Sequence, residues 1–555
     1  MRADYINQVL PPLVFDDTAA DYAEEFWTHE TDVLVLGWGA SGACTALEAI
    51  SHGLRVTVAD RFMGGGASAK SGGVVYAGGG TAQQQLAGFS DSVQSMYDYL
   101  KQETHGVIAD ETLMRFCRNS ATNLRWLEDH GVPFASSVPP SGKTSYPTDA
   151  YYLYYSGNEL VPAYGAPNSA PRGHRTYSKG QAGKTLYRHL QQACLAQGVQ
   201  ALTQARVTRL ITDRWGQVIG AELWQLPAQS KAARRHRILA ARAERLQNFA
   251  PLYCQRLRNR LAAIEASHSQ PIRVRAQRGV VLCTGGFIFN PTLVNEHAGS
   301  YRRNFKIGAT GCDGSGLRLG QSVGANSQKL NTVSAWRFIN PPLCWPNGIV
   351  VNSRGERFCN EEVYGATLGH AICEDQGGKA WLILDKPLRR KALRQALFGG
   401  YWWFQSLPAL ALMTFGAITA RTPGELAAKL KMDSSALAHA IDSYDLPQFS
   451  GGGDPLGKSA ASCTPLTQGP YYALDISVKS PIFPLGSLTL GGLEVDEDTG
   501  QVLNEHGLAI AGLYAAGRTA VGIPSNLYIS GLSLADCVFS GRRAGAAVAG
   551  ARSMA

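Results

Sequence analysis

A short glycine-rich segment between two apolar runs most constrains the fold of this 555-residue chain. Residues 32–36 read Asp-Val-Leu-Val-Leu, which is typical of a buried parallel strand. Gly-Trp-Gly-Ala-Ser-Gly follows at 37–42, a helix is predicted over 43–52, and a second strand over 54–59 leads to Asp60. This order predicts a βαβ unit whose GxGxxG turn stands where such units bind a dinucleotide.

Each glycine of the turn has a predicted role. Gly37 permits the tight turn, Gly39 lets the backbone approach a pyrophosphate, and Gly42 lets the helix pack on the strand. The N–H groups and positive dipole at the helix N-terminus favour a phosphate there. Asp60 can accept hydrogen bonds from a ribose 2′-hydroxyl, and its charge disfavours a 2′-phosphate. These features predict a cofactor with an ADP moiety, which NAD and FAD share.

Two distant segments favour FAD. A glycine-serine run at 64–73 can wrap the pyrophosphate and the edge of a flavin. Residues 512–518 resemble the closing strand of FAD proteins, and a helix starting at 531–534 could direct N–H groups at the flavin N1–C2=O edge. The predicted cofactor contacts are Gly37, Gly39, Ala40, Ser41, Gly42, Asp60, Arg61, Gly66, Ala67, Ser68, Ser71, Gly72, Gly73, Val207, Gly285, Asp313, Gly517, Arg518, Ser533 and Leu534.

Length and composition bound the architecture. A chain with 45% hydrophobic residues can bury a large core, but 555 residues exceed one compact core, so we expect two domains. Residues 1–31 lack a basic start followed by an apolar run, and no segment is apolar for the length of a bilayer. We therefore expect neither a signal peptide nor a membrane span. The 11 cysteines form no CxxC pair, which favours a cytoplasmic location without a metal site.

Positive charge is concentrated in one segment. Residues 228–278 contain 12 basic and two acidic residues, so this segment carries +10, while the whole chain carries +9. Apolar residues between Leu239 and Ile264 recur at helical spacing, and Pro251 interrupts them, which predicts two short helices or one kinked helix. Three interpretations stay open for 228–270: peripheral contact with an anionic membrane, a helical pair packed on the protein, and a disordered loop. Nucleic acid is not an expected partner, because aromatic residues are few and no known motif is present.

Four further segments carry a family resemblance. They are Tyr-Tyr-Leu-Tyr-Tyr-Ser-Gly-Asn-Glu at 151–159, Pro-Arg-Gly-His-Arg at 171–175, Asn-Glu-Glu-Val-Tyr-Gly at 360–365 and Tyr-Ile-Ser-Gly at 528–531. With the glycine-rich segments, they resemble the flavoprotein superfamily of succinate dehydrogenase, fumarate reductase and 3-ketosteroid dehydrogenase. The likeness is closest to the 3-ketosteroid Δ4-(5α)-dehydrogenases. It covers most of the chain from Trp27 to Gly545, apart from the basic segment.

The resemblance implies an α/β fold, with a Rossmann-like FAD-binding domain and an inserted α+β cap domain. Residues 1–330 and 482–555 would form the FAD domain, with the basic helical insertion at 228–278, and 331–481 would form the cap. The resemblance also places the catalytic residues at Tyr528, Ser530 and Tyr364. From the residues alone, Tyr528 could be a core tyrosine, and Ser530 could merely cap the helix that follows it. The aromatic run at 151–155 could pack within a strand, line the substrate site, or do both.

The chain also departs from its wider superfamily. Fumarate reductases hold a dicarboxylate with His and Arg residues, one of them a His after the Gly-Asp-Gly loop. Here the segment after the corresponding loop at 312–316 reads Ser-Ala-Trp-Arg at 334–337, and Val-Tyr-Gly-Ala follows the Asn-Glu pair at 363–366. Because an arginine fork is the natural partner of a carboxylate, its absence predicts a neutral, apolar substrate. Arg518 stands where many relatives have Glu, and the sequence gives no reason for this.

The implied reaction is oxidation of a 3-keto-5α-steroid to its 4-ene. A tyrosine would remove the C4 proton, a hydride would pass from C5 to flavin N5, and an external acceptor would take the electrons. Free tyrosine has a pKa of about 10, so it needs help to act as a base near neutral pH, which a second hydroxyl within hydrogen-bond reach can supply. Tyr528 is the favoured base, although it could instead donate to the carbonyl.

The alternatives are a 3-ketosteroid Δ1-dehydrogenase and a fumarate reductase-like ene reductase that acts on a neutral apolar substrate. Relatives that bind FAD covalently use a His after the first acidic residue, and 64–73 contains none, so noncovalent FAD is predicted.

Overall fold

The computed structural model of the protein describes residues 8–15, 26–144, 148–165, 169–450 and 453–550. The expectation that residues 1–31 contain no signal peptide falls partly outside the described residues, which omit 1–7 and 16–25. None of the helices in the described parts of the chain combines the length and apolar character needed to cross a bilayer.

A nine-stranded sheet forms the centre of the larger part of the molecule. Its strands are Leu13–Val14, His29–Leu36, Val56–Asp60, Gln200–Thr203, Ala205–Thr212, Val218–Gln225, Gln270–Leu282, Gln501–Leu503 and Ala509–Ala515. Five neighbours run parallel, in the order 509–515, 270–282, 29–36, 56–60 and 200–203. Helix Ala40–Ser51 connects the second and third strands in chain order, so the predicted βαβ unit is confirmed.

Strand Gln270–Leu282 joins distant parts of the sheet. Its first half pairs antiparallel with Val218–Gln225, and its second half lies between His29–Leu36 and Ala509–Ala515. The prediction of a helical insertion over 228–278 is therefore wrong for the last nine residues. Apolar residues alternate with arginines from Ile272 to Ala276, which is the period of a strand and not of a helix.

Ten helices described in this part of the molecule pack around the sheet. They are Ala40–Ser51, Ala82–Leu86, Val93–Thr104, Asp110–Asp129, Gly183–Ala196, Lys231–Leu246, Pro251–His268, Pro291–His297, Ser315–Ser322 and Leu532–Val548. The last lies directly against the first, because a Cβ atom at Gly541 would stand 2.7 Å from the Ser41 carbonyl oxygen. This close packing brings the C-terminal helix to the glycine-rich turn.

The basic segment forms two helices, as one of the sequence interpretations predicted. The Ser230 side chain caps Lys231–Leu246 by accepting from Ala233 N–H, and Pro251 starts the second helix, where its missing N–H costs nothing. We call this pair the basic hairpin. Its inner face is buried, so the hairpin packs on the protein and is not a disordered loop.

A separate layer holds a four-stranded antiparallel sheet, Ile349–Val351, Trp381–Leu384, Ala417–Ala420 and Tyr471–Asp475. Helices Gly365–Glu374, Lys386–Phe398, Trp403–Thr414, Pro423–Leu430 and Ser434–Ser450 accompany it. All these elements lie within 331–481, the segment predicted as the cap. A buried carboxylate, Glu361, accepts from Val350 N–H and pairs with Arg357 and Lys458. The Asn-Glu-Glu segment therefore fixes the interior of this layer.

Three small sheets and four short 3₁₀ helices complete the described structure. The strands are Val74–Tyr76, Leu153–Tyr154 and Gly173–Arg175 in one sheet; Phe305–Lys306, Val333–Trp336 and Gly486–Thr489 in another; and Ser327–Gln328 with Gly492–Leu493 in the third. The 3₁₀ helices are Ser68–Lys70, Gly299–Tyr301, Trp345–Asn347 and Gly517–Thr519. The first two sheets carry segments that lead into the candidate active site.

Candidate active site

The predicted cofactor contacts gather at one edge of the large sheet. Gly37, Asp60, Gly285 and Gly517 end or follow four of its parallel strands, whose carboxyl ends meet at that edge. Contacts join the loops directly, since Gly285 N–H donates to the Thr519 hydroxyl at 2.9 Å. The carboxyl edge of such a sheet is where open α/β proteins bind ligands.

Glycine is required at two positions of the turn and leaves space at a third. Gly37 has φ +101°, and a Cβ atom there would lie 2.4 Å from the Cys283 carbonyl oxygen. A Cβ atom at Gly42 would lie 2.0 Å from the Gly37 oxygen. At Gly39, in contrast, it would meet nothing nearer than Ser68 Oγ at 3.7 Å. The first helix therefore begins beside an open cradle that a pyrophosphate can fill.

The Asp60 carboxylate is held in place by backbone donors. It accepts from the N–H groups of Trp38 at 2.9 Å, Phe62 at 2.7 Å and Gly64 at 3.3 Å. Burial raises the pKa of Asp60, and these three donors act against that rise. Its orientation at the end of the strand agrees with the predicted ribose contact.

The other predicted contacts fall on neighbouring elements. Gly66, Ala67, Ser68, Ser71, Gly72 and Gly73 lie on the loop and 3₁₀ helix after Asp60, Val207 lies on Ala205–Thr212, and Ser533 and Leu534 lie in the first turn of the C-terminal helix. Ser68 Oγ accepts from Ala40 N–H at 3.2 Å, so this loop reaches the start of the first helix. Ser71 braces the loop, since its hydroxyl donates to the Ser68 carbonyl and accepts from Gly73 N–H.

Arg61 and Asp313 have partners within the protein. Arg61 donates to both oxygens of Glu265, at 2.9 and 3.0 Å, and to Asp313 at 3.0 Å. Glu265 belongs to the basic hairpin, which also reaches this loop through the Lys70–Glu244 ion pair. The hairpin thus buttresses the loop that carries the predicted cofactor contacts.

The hydrogen-bond partners of Arg518 indicate whether the site suits an anionic dinucleotide. One guanidinium nitrogen, Nη2, contacts Cys312 Sγ at 3.6 Å. The other, Nη1, is buried and has no hydrogen-bond partner among the residues that the structure describes. A buried cationic donor of this kind is costly unless a polar or anionic group meets it. Because it lies beside Gly285 and Gly286, next to the predicted contacts, the residues present fit bound FAD.

The C-terminal helix begins with a glycine that no other residue could replace. Gly531 has φ +92°, its carbonyl accepts from Tyr76 N–H at 3.1 Å, and a Cβ atom would lie 2.7 Å from that nitrogen. The first N–H groups of a helix have no partner within the helix. Those of Ser533 and Leu534 lie in the first turn of this helix, so the prediction that they face the flavin N1–C2=O edge stays open.

Two of the three predicted catalytic residues, Tyr528 and Tyr364, lie at the ends of an aromatic row. Tyr528 and Ser530 precede Gly531, and Tyr364 is the N-cap residue of Gly365–Glu374. Ring centroids lie 5.2 Å apart for Tyr528 and Trp336, 6.2 Å for Trp336 and Phe338, and 5.6 Å for Phe338 and Tyr364. All four rings are half-buried. The row therefore connects Tyr528 with Tyr364 through apolar rings.

Sequence reasoning did not place Trp336 or Phe338 in the site. Its only signal was that Trp336 stands in the segment where relatives have a His. The intervening Arg337 is buried and donates to the carbonyls of Phe483 at 2.6 Å and Ser477 at 2.9 Å. Burial lowers the pKa of Arg337 to about 9. Its two terminal nitrogens are thus bonded to backbone carbonyls, while Nε is buried without a hydrogen-bond partner among the described residues.

The aromatic run at 151–155 makes packing contacts, and a role in lining the substrate site stays open. Leu153 and Tyr154 form a strand, Tyr152 contacts Tyr177, and the Tyr155 hydroxyl donates to the Ser169 carbonyl. The following segment reaches the site through its backbone. Ser156 and Ser530 are joined twice: Ser530 N–H donates to the Ser156 carbonyl at 3.2 Å, and the Ser156 hydroxyl donates to the Ser530 carbonyl at 3.0 Å.

A buried polar cluster holds Tyr364 in place through its backbone N–H. Tyr364 N–H donates to Asn158 Oδ1 at 2.6 Å, and Asn158 Nδ2 donates to Glu103 Oε1 at 2.8 Å. The Tyr99 hydroxyl donates to the same Glu103 oxygen at 2.7 Å. Burial raises the pKa of Glu103 to about 7. The cluster links helix Val93–Thr104 of the sheet domain to the start of helix Gly365–Glu374.

We predict that the free energy of unfolding of Glu103→Gln will fall less with rising pH than that of the unmodified protein. The folded state keeps Glu103 protonated up to about pH 7, whereas the unfolded chain releases this proton near its ordinary pKa. The folded state therefore binds more protons between these values, and its free energy of unfolding falls as pH rises, by roughly 3 kcal/mol. Urea unfolding at pH 5 and pH 8 should show a clearly larger fall in the unmodified protein than in the variant. The variant keeps the contribution of other carboxyls such as Asp536, whose pKa burial raises to about 6. The exposed Glu111→Gln serves as the control, and an equal fall in Glu103→Gln would contradict the prediction.

Comparisons with known proteins agree with this geometry. Residues 32–528 match the FAD binding domain family. The chain is 47% identical over 513 residues to the 3-oxo-5-alpha-steroid 4-dehydrogenase of Comamonas testosteroni, covering 91% of this chain and 95% of that protein. It is 26% identical over 571 residues to a 3-oxosteroid 1-dehydrogenase of Mycolicibacterium smegmatis, covering 90% of this chain and 94% of that protein.

A solved structure extends the comparison to the fold. The crystal structure of the 3-ketosteroid-delta4-(5alpha)-dehydrogenase from Rhodococcus jostii RHA1, in complex with 4-androstene-3,17-dione, superposes with a TM-score of 0.78. The two are 28% identical, and the match covers 97% of this chain and 100% of the other. The predicted Rossmann-like FAD domain with a cap is thereby confirmed as the fold class. The chain belongs to the FAD-binding domain family of flavoproteins, in the branch that includes these 3-ketosteroid dehydrogenases.

Proposed function

We propose that this protein oxidises 3-keto-5α-steroids to their 4-enes. The observation that carries the proposal is the aromatic row between Tyr528 and Tyr364, which offers hydroxyl groups beside an apolar wall. Arg337, which follows Trp336 in the chain, donates to two backbone carbonyls through its terminal nitrogens. The 47% identity to a 3-oxo-5-alpha-steroid 4-dehydrogenase supports the same substrate and the same bond.

The proposed roles rest on the family resemblance, which assigns three hydroxyl groups to the site. Tyr528 takes the C4 proton, and Ser530 and Tyr364 assist by hydrogen bonding to it or to the 3-keto oxygen, which acidifies C4. Bound FAD supplies the hydride acceptor for C5. Trp336 and Phe338 exclude water and position the flat steroid. Tyr364 comes from the other domain, so the site is complete only when the cap lies in its place.

Four finer points belong to the same proposal. FAD is bound noncovalently, because 64–73 contains no His. An external acceptor reoxidises the flavin. The domain boundaries lie near residues 331 and 481, which agrees with the four-stranded sheet that falls between them. The enzyme is cytoplasmic. The basic hairpin contacts membranes peripherally, so part of the enzyme is associated with them.

A dye-coupled assay with identified products tests the proposal. We expect a saturated 5α-3-ketosteroid to be oxidised to the 4-ene, while the corresponding 3-hydroxysteroid, which lacks the activating carbonyl, is not oxidised. A 1-ene product, or conversion of a 4-ene-3-ketosteroid to the 1,4-diene, would identify a Δ1-dehydrogenase instead. Reduction of the 4-ene by the chemically reduced enzyme, without measurable oxidation of the saturated ketone, would identify an ene reductase.

A further inference from the structure

A cap helix presents an unusual outer surface. Helix Trp403–Thr414 reads Trp-Phe-Gln-Ser-Leu-Pro-Ala-Leu-Ala-Leu-Met-Thr and contains no charged residue. Trp403 and Leu407, one turn apart, are 60% and 58% exposed. Surface helices of globular proteins normally turn charged and polar residues outward. An apolar outer face of this kind usually marks a contact with another apolar phase or partner.

The turn before this helix meets the basic hairpin at its tip. Arg389 Nε donates to the Met413 carbonyl at 3.0 Å, so helices Lys386–Phe398 and Trp403–Thr414 run antiparallel with their turn at one end. At that end, the ring of Phe249 stacks on Trp403 with centroids 5.6 Å apart. Phe249 lies between the two helices of the basic hairpin, so two helical hairpins meet tip to tip.

We call the exposed apolar residues at this junction the apolar tip surface. They are Phe249, Leu252, Leu397, Phe398, Trp403 and Leu407, each at least 58% exposed. Both domains contribute to it, and the stacked rings of Phe249 and Trp403 connect the two contributions. Apolar residues scattered singly on a surface need no explanation, but six at one junction do.

Positive charge flanks this surface. The exposed basic residues within about two turns of the two tips are Arg242, Arg245, Arg256, Lys391 and Arg394. The acidic residues on the adjoining helices, Glu244 and Glu265, instead turn toward the protein, where they pair with Lys70 and Arg61. The exposed charged residues near the tips are therefore basic, and apolar side chains lie where the two tips meet.

We infer that the apolar tip surface docks on an anionic phospholipid bilayer. Its aromatic and leucine side chains enter the interface between headgroups and acyl chains, and the flanking Lys and Arg residues contact the headgroups. A second copy of the chain fits less well, because a two-fold contact would set each basic face against its own copy. The purpose of docking rests on the proposed function, since steroids partition into bilayers, but the contact itself does not depend on it.

Sedimentation of the full-length holoprotein with vesicles tests the inference. We expect binding to phosphatidylserine-containing vesicles, little binding to pure phosphatidylcholine vesicles, and weaker binding in high salt. The double variant Leu252→Ser/Phe398→Ser removes side chains that are 83% and 82% exposed, so it should fold normally. Its partition to anionic vesicles should fall at least roughly tenfold, because two inserted apolar side chains are lost.

A matched control lies on the same helical pair. Phe415 is 93% exposed, but the 12 residues from Trp403 place it about 18 Å away at the other end of the helix. Phe415→Ser should bind vesicles like the unmodified protein, and all variants should oxidise a soluble substrate equally well. Equal vesicle binding by the double variant, or equal binding to both lipids, would overturn the inference. Concentration-dependent self-association that the double variant abolishes, without vesicle binding, would show a second copy instead.

Discussion

Replacing Tyr528 with Phe should slow flavin reduction by a 5α-3-ketosteroid by at least roughly a hundredfold, the lower range of general-base effects. The substitution keeps the ring that packs 5.2 Å from Trp336 and removes one hydroxyl. If that hydroxyl removes the C4 proton or polarises the carbonyl, its loss appears in the chemical step. Stopped-flow reduction under anaerobic conditions measures this step directly.

The spectrum of bound FAD should hardly change in Tyr528→Phe, because the predicted flavin contacts come from Gly531–Leu534 and the glycine-rich turn. Tyr472→Phe is a suitable control, since this tyrosine lies in the cap sheet with Arg389 over its ring. Its reduction rate should stay within about twofold of the unmodified enzyme, as for a substitution outside the site. A near-normal rate for Tyr528→Phe would remove this residue from the mechanism.

Glu265→Gln should destabilise the protein by roughly 3 kcal/mol, the lower end of the cost of breaking a buried ion pair. Burial alone would raise the pKa of Glu265, but Arg61, His236 and Arg206 outweigh it and hold the pKa well below its usual range. The variant leaves the guanidinium groups of Arg61 and Arg206, 17% and 10% exposed, without their main anionic partner. Asp313 still contacts both, which keeps the loss near the lower end.

Urea unfolding at pH 7 would measure this loss, with Glu296→Gln as the control. Glu296 is 61% exposed, and its replacement should change the free energy of unfolding by less than about 0.5 kcal/mol. Equal stability of the two variants would show that the ion-pair cluster does not hold the hairpin.

The cluster also makes deletion of 228–270 an unsuitable test of membrane contact, because the deletion would remove the buried partner of Arg61 and Arg206.

The cofactor half of the site could be predicted from sequence because its determinants are local. The turn at 37–42, Asp60 and the helix after Gly531 each occupy a few consecutive residues whose spacing carries the geometry. The arrangement around Arg61 could not be predicted in this way. Its partners Glu265 and Asp313 lie about 200 and 250 positions away, and only the folded chain brings them together.

The substrate half depended on the family resemblance and was less complete. Tyr528 and Tyr364 were placed by short motifs, but their connection through Trp336 and Phe338 is a tertiary contact without a sequence period. The same holds for Glu103, whose buried carboxyl supports Tyr364 through Asn158. The strand at 270–278 was missed because its high arginine content suggested a continuation of the basic helices, although its alternation was present in the sequence.

The position of strand Gln270–Leu282 affects how the protein is made. Its second half is covered on one side by residues 33–36, made early, and on the other by residues 513–515, made late in translation. While the ribosome adds the roughly 230 residues between, the main-chain groups of 280–282 lack their final partner and can pair wrongly with another nascent chain. We therefore expect flavin capture to follow release of the finished chain, and supply of FAD to decide how much of the newly made enzyme escapes aggregation.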